Sequence, residues 1–270
     1  MLANLKRTTV HPFHIVDPSP WPILVAFGAF FLFVGVALYM HSFKIGFTLL
    51  LLGLFATFGS ASFWWRDIVR EGTYEGAHTL AVQHGLRFGM VLFIVSEVML
   101  FFSFFWGYFH SSLNPVPEIG CVWPPKGIEV ISPWLIPLLN TGLLLTSGAS
   151  LTWAHAAILG GYRLEAISGL IVTLILAVLF TSFQAYEYVN APFNISDGIY
   201  GTTFYSLTGL HGVHVIVGTI FLAVALYRLV LQHFTTTNHV GFEAAAWYWH
   251  FVDVVWIFLF LAVYTWGEGI

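Results

Sequence analysis

The sequence predicts an all-α, polytopic membrane protein with seven transmembrane helices, and three observations lead there. Hydrophobic residues make up 58% of the 270-residue chain and charged residues only 8%, against roughly 25% charged residues in an average soluble domain. Apolar runs long enough to cross roughly 30 Å of hydrocarbon, which takes about 20 helical residues, recur along almost the whole length. Seven of the nine Lys and Arg residues sit at the ends of apolar runs that would share one side of a membrane. Such runs must be helical, because backbone amides find no water to bond inside lipid and the lengths are wrong for barrel strands.

Taken in order, the spans cover residues 21–41, 43–65, 80–110, 134–159, 166–188, 202–231 and 242–266. The first starts at Trp21 behind a Pro-containing approach, and the second closes on Trp64 and Trp65. The third and sixth run about ten residues beyond the minimum for crossing, which predicts strong tilt or projecting ends. The fourth opens at Trp134 and the last closes at Trp266, indoles at the depth where Trp anchors a helix in the interface. With the N-terminus inside, Lys6, Arg7, Arg66, Arg70, Arg87, Arg163 and Arg228 share the inner side, and only Lys44 and Lys126 lie outside. The excess of basic residues therefore orients the N-terminus inward and the C-terminal Ile270 outward.

The connecting segments are too short to form a domain, so residues 1–270 read as a single membrane domain. The longest contains Asn114-Pro115-Val116-Pro117 and Trp123-Pro124-Pro125, a rigid surface loop. The loop from residue 66 to 75 is expected on the inner side. Residues 1–20 lack the apolar core of a secretion signal and the Arg and Ser content of a transit peptide, so no N-terminal processing is expected. Neither an internal repeat nor a low-complexity tract is evident. A lone Cys121 rules out an intrachain disulfide, a multi-cysteine zinc site, an iron–sulfur cluster and a dithiolate copper pair.

The polar residues inside the spans carry the functional question. His211 and His214, three apart on one helical face, have the spacing to present two imidazoles to one metal. His84, His155, His211 and His250 give no obvious pair of the kind that holds a membrane haem, so cross-helix hydrogen bonding is the favoured reading, with no haem, copper or zinc in this chain. Glu97 sits near the middle of the third span, where an ionised carboxylate costs about 3 kcal/mol or more. Three environments make it tolerable: a bound proton, a bond to Ser96 or a partner-helix His, or a watered crevice. Asp253 has His250 three residues before it on the same face, which predicts a structural polar pair.

The run Gly241-Phe242-Glu243-Ala244-Ala245-Ala246-Trp247-Tyr248-Trp249-His250-Phe251-Val252-Asp253-Val254-Val255-Trp256 closely resembles the start of the last helix in the cytochrome c oxidase subunit III family. Asp17-Pro18-Ser19-Pro20-Trp21-Pro22, Trp64-Trp65-Arg66-Asp67, Ser96-Glu97-Val98, His110-Ser111-Ser112-Leu113 and Trp123-Pro124-Pro125 follow in that family's order. So do Leu138-Leu139-Asn140-Thr141, Thr152-Trp153-Ala154-His155, Ile195-Ser196-Asp197-Gly198 and His211-Gly212-Val213-His214. The similarity covers essentially the full chain. Ala156, where many members carry a second His, is a departure that touches one local contact.

The resemblance implies an accessory subunit of a complex that takes electrons from cytochrome c, reduces oxygen to water and pumps protons. On that pattern haem a and copper belong to subunits I and II, and this chain holds none. The family's helices form groups of two and five around a cleft holding phospholipids, with the break here before Leu80. The matching positions give lipid-binding candidates: Trp65 and Arg66 at the end of the second span, His78 before the third, and Arg228 and His233 at the end of the sixth. A headgroup against Arg228 and Trp65 is chemically sensible, because Arg offers planar donors and an indole suits the interface. Anchoring of helix ends is the simpler alternative. The compact 115–125 loop points to the mitochondrial inner membrane, N-terminus in the matrix, rather than a bacterial plasma membrane, and nothing suggests a nucleic-acid partner. A proton-coupled transporter would place its site at broken helices, often in paired repeats, and a seven-helix receptor would have its N-terminus outside. Neither fits.

Overall fold

The computed structural model describes residues 11–267, and Lys6, Arg7 and Ile270 of the orientation reading lie outside them. Seven long helices follow one another: α1 Trp21–Met40, α2 Lys44–Thr73, α3 Leu80–Leu113, α4 Ile136–Gly160, α5 Arg163–Asn190, α6 Gly198–Val230 and α7 Val240–Leu259. All seven are long and apolar enough to cross a membrane. A short 3-10 turn, Pro117–Ile119, stiffens the long connection, and Cys121 is exposed there. The chain divides into two compact units, Met1–Leu86 and Arg87–Ile270, with the division inside the first turns of α3 rather than before Leu80.

Helix ends depart from the hydropathy reading in one informative way. The second helix does not stop at Trp65 but runs to Thr73, so Arg66 and Arg70 are helical rather than in a loop. Apolarity marks where hydrocarbon is crossed, whereas the helix continues in polar surroundings while Asp67 and Arg70 occupy its solvated turns. At the other end of the chain the last span changes pitch. Residues Phe260–Thr265 form a π-helical continuation of α7, with the Trp266 amide bonded to Leu261 O at 3.1 Å. Tyr108 of α3 donates its hydroxyl to the Ala262 carbonyl at 2.9 Å, supplying a partner where the regular ladder is broken.

The first unit is a hairpin held by glycine. Gly28 and Gly35 on α1 lie seven residues apart, as do Gly46 and Gly53 on α2, so each pair returns to one face. All four are buried. A Cβ at Gly28 would lie 2.7 Å from the Thr57 amide nitrogen, and one at Gly35 or Gly53 would overlap the backbone nitrogens of Leu50 or Leu32. Backbones this close gain dispersion contacts that lipid cannot supply, the usual basis of small-residue packing in membranes. The hairpin base is closed by Trp21, whose Nε1–H donates to Asp67 Oδ2 at 2.6 Å while its ring stacks on Phe63 at 5.4 Å.

The second unit has a core centred on α7. Trp249 and Trp256 are fully buried, and each indole N–H finds a hydroxyl on α4: Ser147 Oγ and Thr141 Oγ1, both at 2.9 Å. Helices α4 and α5 meet through Ser150 and Thr173, whose hydroxyls lie 2.7 Å apart. Arg163, the first residue of α5, donates to the Val230 carbonyl at the end of α6, satisfying an acceptor the helix itself leaves open.

The glycine stripe predicts a sharp contrast. Gly53→Ala should destabilise the α1–α2 hairpin by about 1–3 kcal/mol through overpacking, whereas Gly59→Ala, with open space around its Cβ, should be neutral or stabilising. Thermal release of the subunit from its purified complex checks this, and equal release temperatures for the two variants would contradict it.

Candidate functional site

Glu97 does not face its membrane environment alone. Across the α3–α6 contact its Oε2 lies 2.8 Å from His214 Nε2, and His214 Nδ1 lies 2.7 Å from the Leu210 carbonyl. A carbonyl only accepts, so Nδ1 carries a hydrogen. One further proton then lies between Nε2 and Oε2, whichever group owns it, and the pair as a unit has no net charge. That removes most of the cost of placing a carboxyl at mid-span. Of the three environments open to Glu97, the partner-helix His is the one realised. Phe101 packs edge-on against the imidazole at 4.9 Å, and the Tyr248 ring lies nearly parallel to it at 6.3 Å.

His211, one turn earlier, is fully buried and its Nε2 lies 3.2 Å from the Val252 carbonyl on α7. The two imidazoles of the His211–His214 pair are therefore turned to different partners rather than toward a shared ion. His250 and Asp253 are near each other, Nδ1 to Oδ2 3.9 Å, which is too long for a hydrogen bond. Asp253 instead lies over Gly148, where an added Cβ would come within 2.5 Å of Oδ2. Its other oxygen is buried with no hydrogen-bond partner among the described residues.

Two polar groups escape a reading of the sequence. Glu187, near the end of α5 and only 4% exposed, accepts from Tyr264 OH at 2.6 Å and from Gln184 Nε2 at 3.3 Å, with Asn140 donating to Gln184 at 3.4 Å. Its place one residue from the end of the fifth span disguised its burial. The second group joins Arg87 of α3 to Glu243 of α7, Nε to Oε2 2.6 Å, beside His239 and His155.

The lipid candidates divide between the two units. In the first, Trp65 is 60% exposed, Arg66 pairs with Asp67 at 2.9 Å and lies over the Phe63 ring, and His78 packs against Gly72 and His14. In the second, the Arg228 guanidinium lies 4.4 Å above the Phe234 ring, and its buried Nε has no hydrogen-bond partner among the described residues. His233 follows in the connection to α7, its amide bonded to Arg228 O at 3.0 Å. Partial burial, and then the Arg228 cation, hold the His233 imidazole below its ordinary pKa.

The family model for cytochrome c oxidase subunit III matches residues 11–268. The chain belongs to that family. A relative from Prototheca wickerhamii named cytochrome c oxidase subunit 3 is 63% identical over 257 residues, covering 95% of this chain and 98% of the relative. The subunit 3 of Marchantia polymorpha is 61% identical with 95% and 97% covered, and that of Pylaiella littoralis is 58% identical with 100% and 99% covered. The resemblance read from the aromatic run of α7 is thus upheld over the full length. This chain is a membrane-spanning subunit of cytochrome c oxidase, a multi-subunit oxidoreductase of the respiratory chain.

The Glu97–His214 geometry separates two substitutions. Glu97→Gln keeps an acceptor or donor for Nε2 and should leave assembly and most oxygen consumption intact. His214→Leu leaves a carboxyl without its partner and should cost about 1–3 kcal/mol. Subunit retention in the complex on heating is the measurement, and a Glu97→Gln complex that assembles with its haem but consumes no oxygen would place Glu97 in catalysis itself.

Proposed function

We propose that this subunit is an accessory, non-redox component of the oxidase, packed beside subunits I and II, which hold haem a and copper, and carrying structural phospholipid. In the complex, electrons come from cytochrome c, oxygen is reduced to water and protons are pumped. The observation that carries this reading is the use made of the mid-span imidazoles. His214 is committed at both ring nitrogens, to a carbonyl and to Glu97, and His211 turns its Nε2 to a carbonyl of α7, so the two imidazoles do not converge on one haem or copper. What they do instead is tie α3, α6 and α7 into one body.

Phospholipid binding is supported by the chemistry of the α6 end. Arg228 presents a guanidinium whose buried Nε–H has no partner among the described residues, and burial, then that same cation, hold the neighbouring His233 below its ordinary pKa. An anionic phosphate would satisfy the donor and offset the charge. Trp65, Arg66 and His78 offer the interfacial indole, cation and imidazole of a second headgroup position, in the other unit. The basic-residue asymmetry supports placing the N-terminus on the inner, matrix side, and the eukaryotic sources of the relatives support the mitochondrial inner membrane.

Removing the subunit from the purified complex should leave haem a and copper per complex unchanged and lower retained phospholipid. Loss of a haem or copper equivalent with it would overturn the accessory reading. Arg228→Ala should likewise lower bound phospholipid and loosen the subunit; unchanged lipid content and retention would leave Arg228 as a helix-end anchor. Proteolysis of sealed mitoplasts should reach the C-terminus and spare the N-terminus, and cleavage of both from one side would refute the seven-span topology.

A further inference from the structure

The acids buried or half-buried in the helices of the second unit differ in one respect. Glu97 has His214 at 2.8 Å, Glu243 has Arg87 at 2.6 Å and Asp253 has His250 at 3.9 Å. Glu187 on α5 is buried as deeply as any of them and has no basic partner among the described residues. Its contacts are neutral donors, the Tyr264 hydroxyl at 2.6 Å and Gln184 Nε2 at 3.3 Å, and both go to the same oxygen, Oε1. A hydroxyl bond to an ionised carboxylate runs about 2.5–2.7 Å and one to an uncharged oxygen about 2.7–2.8 Å, so the Tyr264 contact is that of a carboxylate. The other oxygen, Oε2, is buried with no hydrogen-bond partner among the described residues. A second acceptor is left open in the same network. Asn140 of α4 is fully buried and donates Nδ2 to Gln184 Oε1 at 3.4 Å, while its own Oδ1 is buried without a partner among the described residues. Reversing that amide would set two oxygens against each other, so Oδ1 is the open atom.

We propose that Glu187 Oε2 and Asn140 Oδ1 are ligands of a buried site for a small, hard monovalent cation, of which Na+ is the representative. A carboxylate oxygen and an amide oxygen are hard donors, which take alkali and alkaline-earth ions in preference to soft transition metals. Charge selects between those two groups. One carboxylate among neutral side chains is cancelled by one positive charge, whereas a divalent ion would leave an uncompensated charge in the interior. A water molecule could donate to both oxygens but would leave the carboxylate's charge in place. The supporting contacts are present as well. Tyr264, on the π-helical turn, holds Oε1 and leaves Oε2 for the ion, and Gln184 is bonded to both ligand residues. The path inward is short, because Glu187 lies in the last turn of α5, between the exposed Tyr186 and Val189. The ion ties α4 to α5 and, through Tyr264, to the end of the last span.

The test uses the intact purified oxidase, heated in sodium chloride or in choline chloride at equal ionic strength, with release of this subunit as the readout. A ligand that binds only the folded state raises its stability with the logarithm of concentration. The wild-type release temperature should therefore climb by a few degrees for each tenfold rise in Na+ and stay level in choline. Glu187→Gln replaces the carboxylate by a neutral amide of the same shape and should abolish the Na+ dependence without lowering the release temperature in choline. The same Na+ dependence in wild type and Glu187→Gln would overturn the proposal, as would its absence from wild type. Asn140→Asp provides the second arm, because a second carboxylate turns the site toward a divalent ion. That variant should be held by Ca2+ where the wild type is not, and indifference to Ca2+ would refute Asn140 as a ligand. The infrared spectrum covers the remaining case. A protonated-carboxyl band that is present in wild type in saturating Na+ and missing from Glu187→Gln would put a proton where the ion belongs and overturn the site. Haem and copper contents, which test the accessory reading, are moved by none of these results.

Discussion

Lipid offers no hydrogen bonds, and that constraint organises this subunit. Every backbone amide in a span must be satisfied within its own helix, which fixes the seven helices, and every polar side chain must find its partner in another helix or on its own backbone. Most hydroxyls in the spans do the latter, bonding carbonyls three or four residues back. Polar side chains that reach across sit at helix contacts, among them Ser147 and Thr141 to the indoles of α7, Ser150 to Thr173, Tyr188 to Thr208, Tyr264 to Glu187 and Glu97 to His214. Because the alternative to each such bond is a bare polar group in hydrocarbon, these contacts fix which helix faces which more firmly than apolar packing does.

The same constraint explains two kinds of helix contact in one chain. In the first unit there is little polar chemistry between α1 and α2, so close approach must supply the attraction, and glycine supplies the approach. In the second unit large aromatics fill the interior: the rings of Trp256, Phe180 and Tyr264 pack edge to face or tilted, and Trp249 is buried on the same helix as Trp256. Such cores need their N–H and O–H groups satisfied. Small polar residues on α4 provide for that, which is why a helix carrying Thr141 and Ser147 can pack against the aromatic helix.

How much was legible in the sequence follows from what each signal measures. Hydropathy located all seven crossings because it reports transfer to lipid, and it missed the end of α2 because a helix need not stop where lipid does. The Gly28/Gly35 and Gly46/Gly53 stripe was visible as a seven-residue spacing but has no meaning until two helices are known to face each other. Partner identity was beyond reach: Glu97 and His214 are separated by 117 positions, and no periodicity links them. The Asp253 pairing was inferred from helical spacing alone, and His250 does lie 3.9 Å from the carboxylate, but spacing could not show that the same carboxylate also lies over Gly148 on another helix. Glu187 looked interfacial by position and is buried by the fold.

The histidines draw these threads together, because spacing says where an imidazole is and only its second nitrogen says what it can do. At His214 both nitrogens are committed, one to a carbonyl and one to a carboxyl, and the residue becomes a neutralising strut. At His211 the ring nitrogen facing α7 is committed to a carbonyl, and the residue joins two helices. At His239 a carbonyl takes Nδ1 while Nε2 lies 3.4 Å from the Glu243 carboxylate, so the same residue type in the same bundle braces the start of α7. A pair three apart on one helix therefore gave a tempting metal signal, yet its two rings turn to different partners, on α7 and on α3, that only the fold brings near.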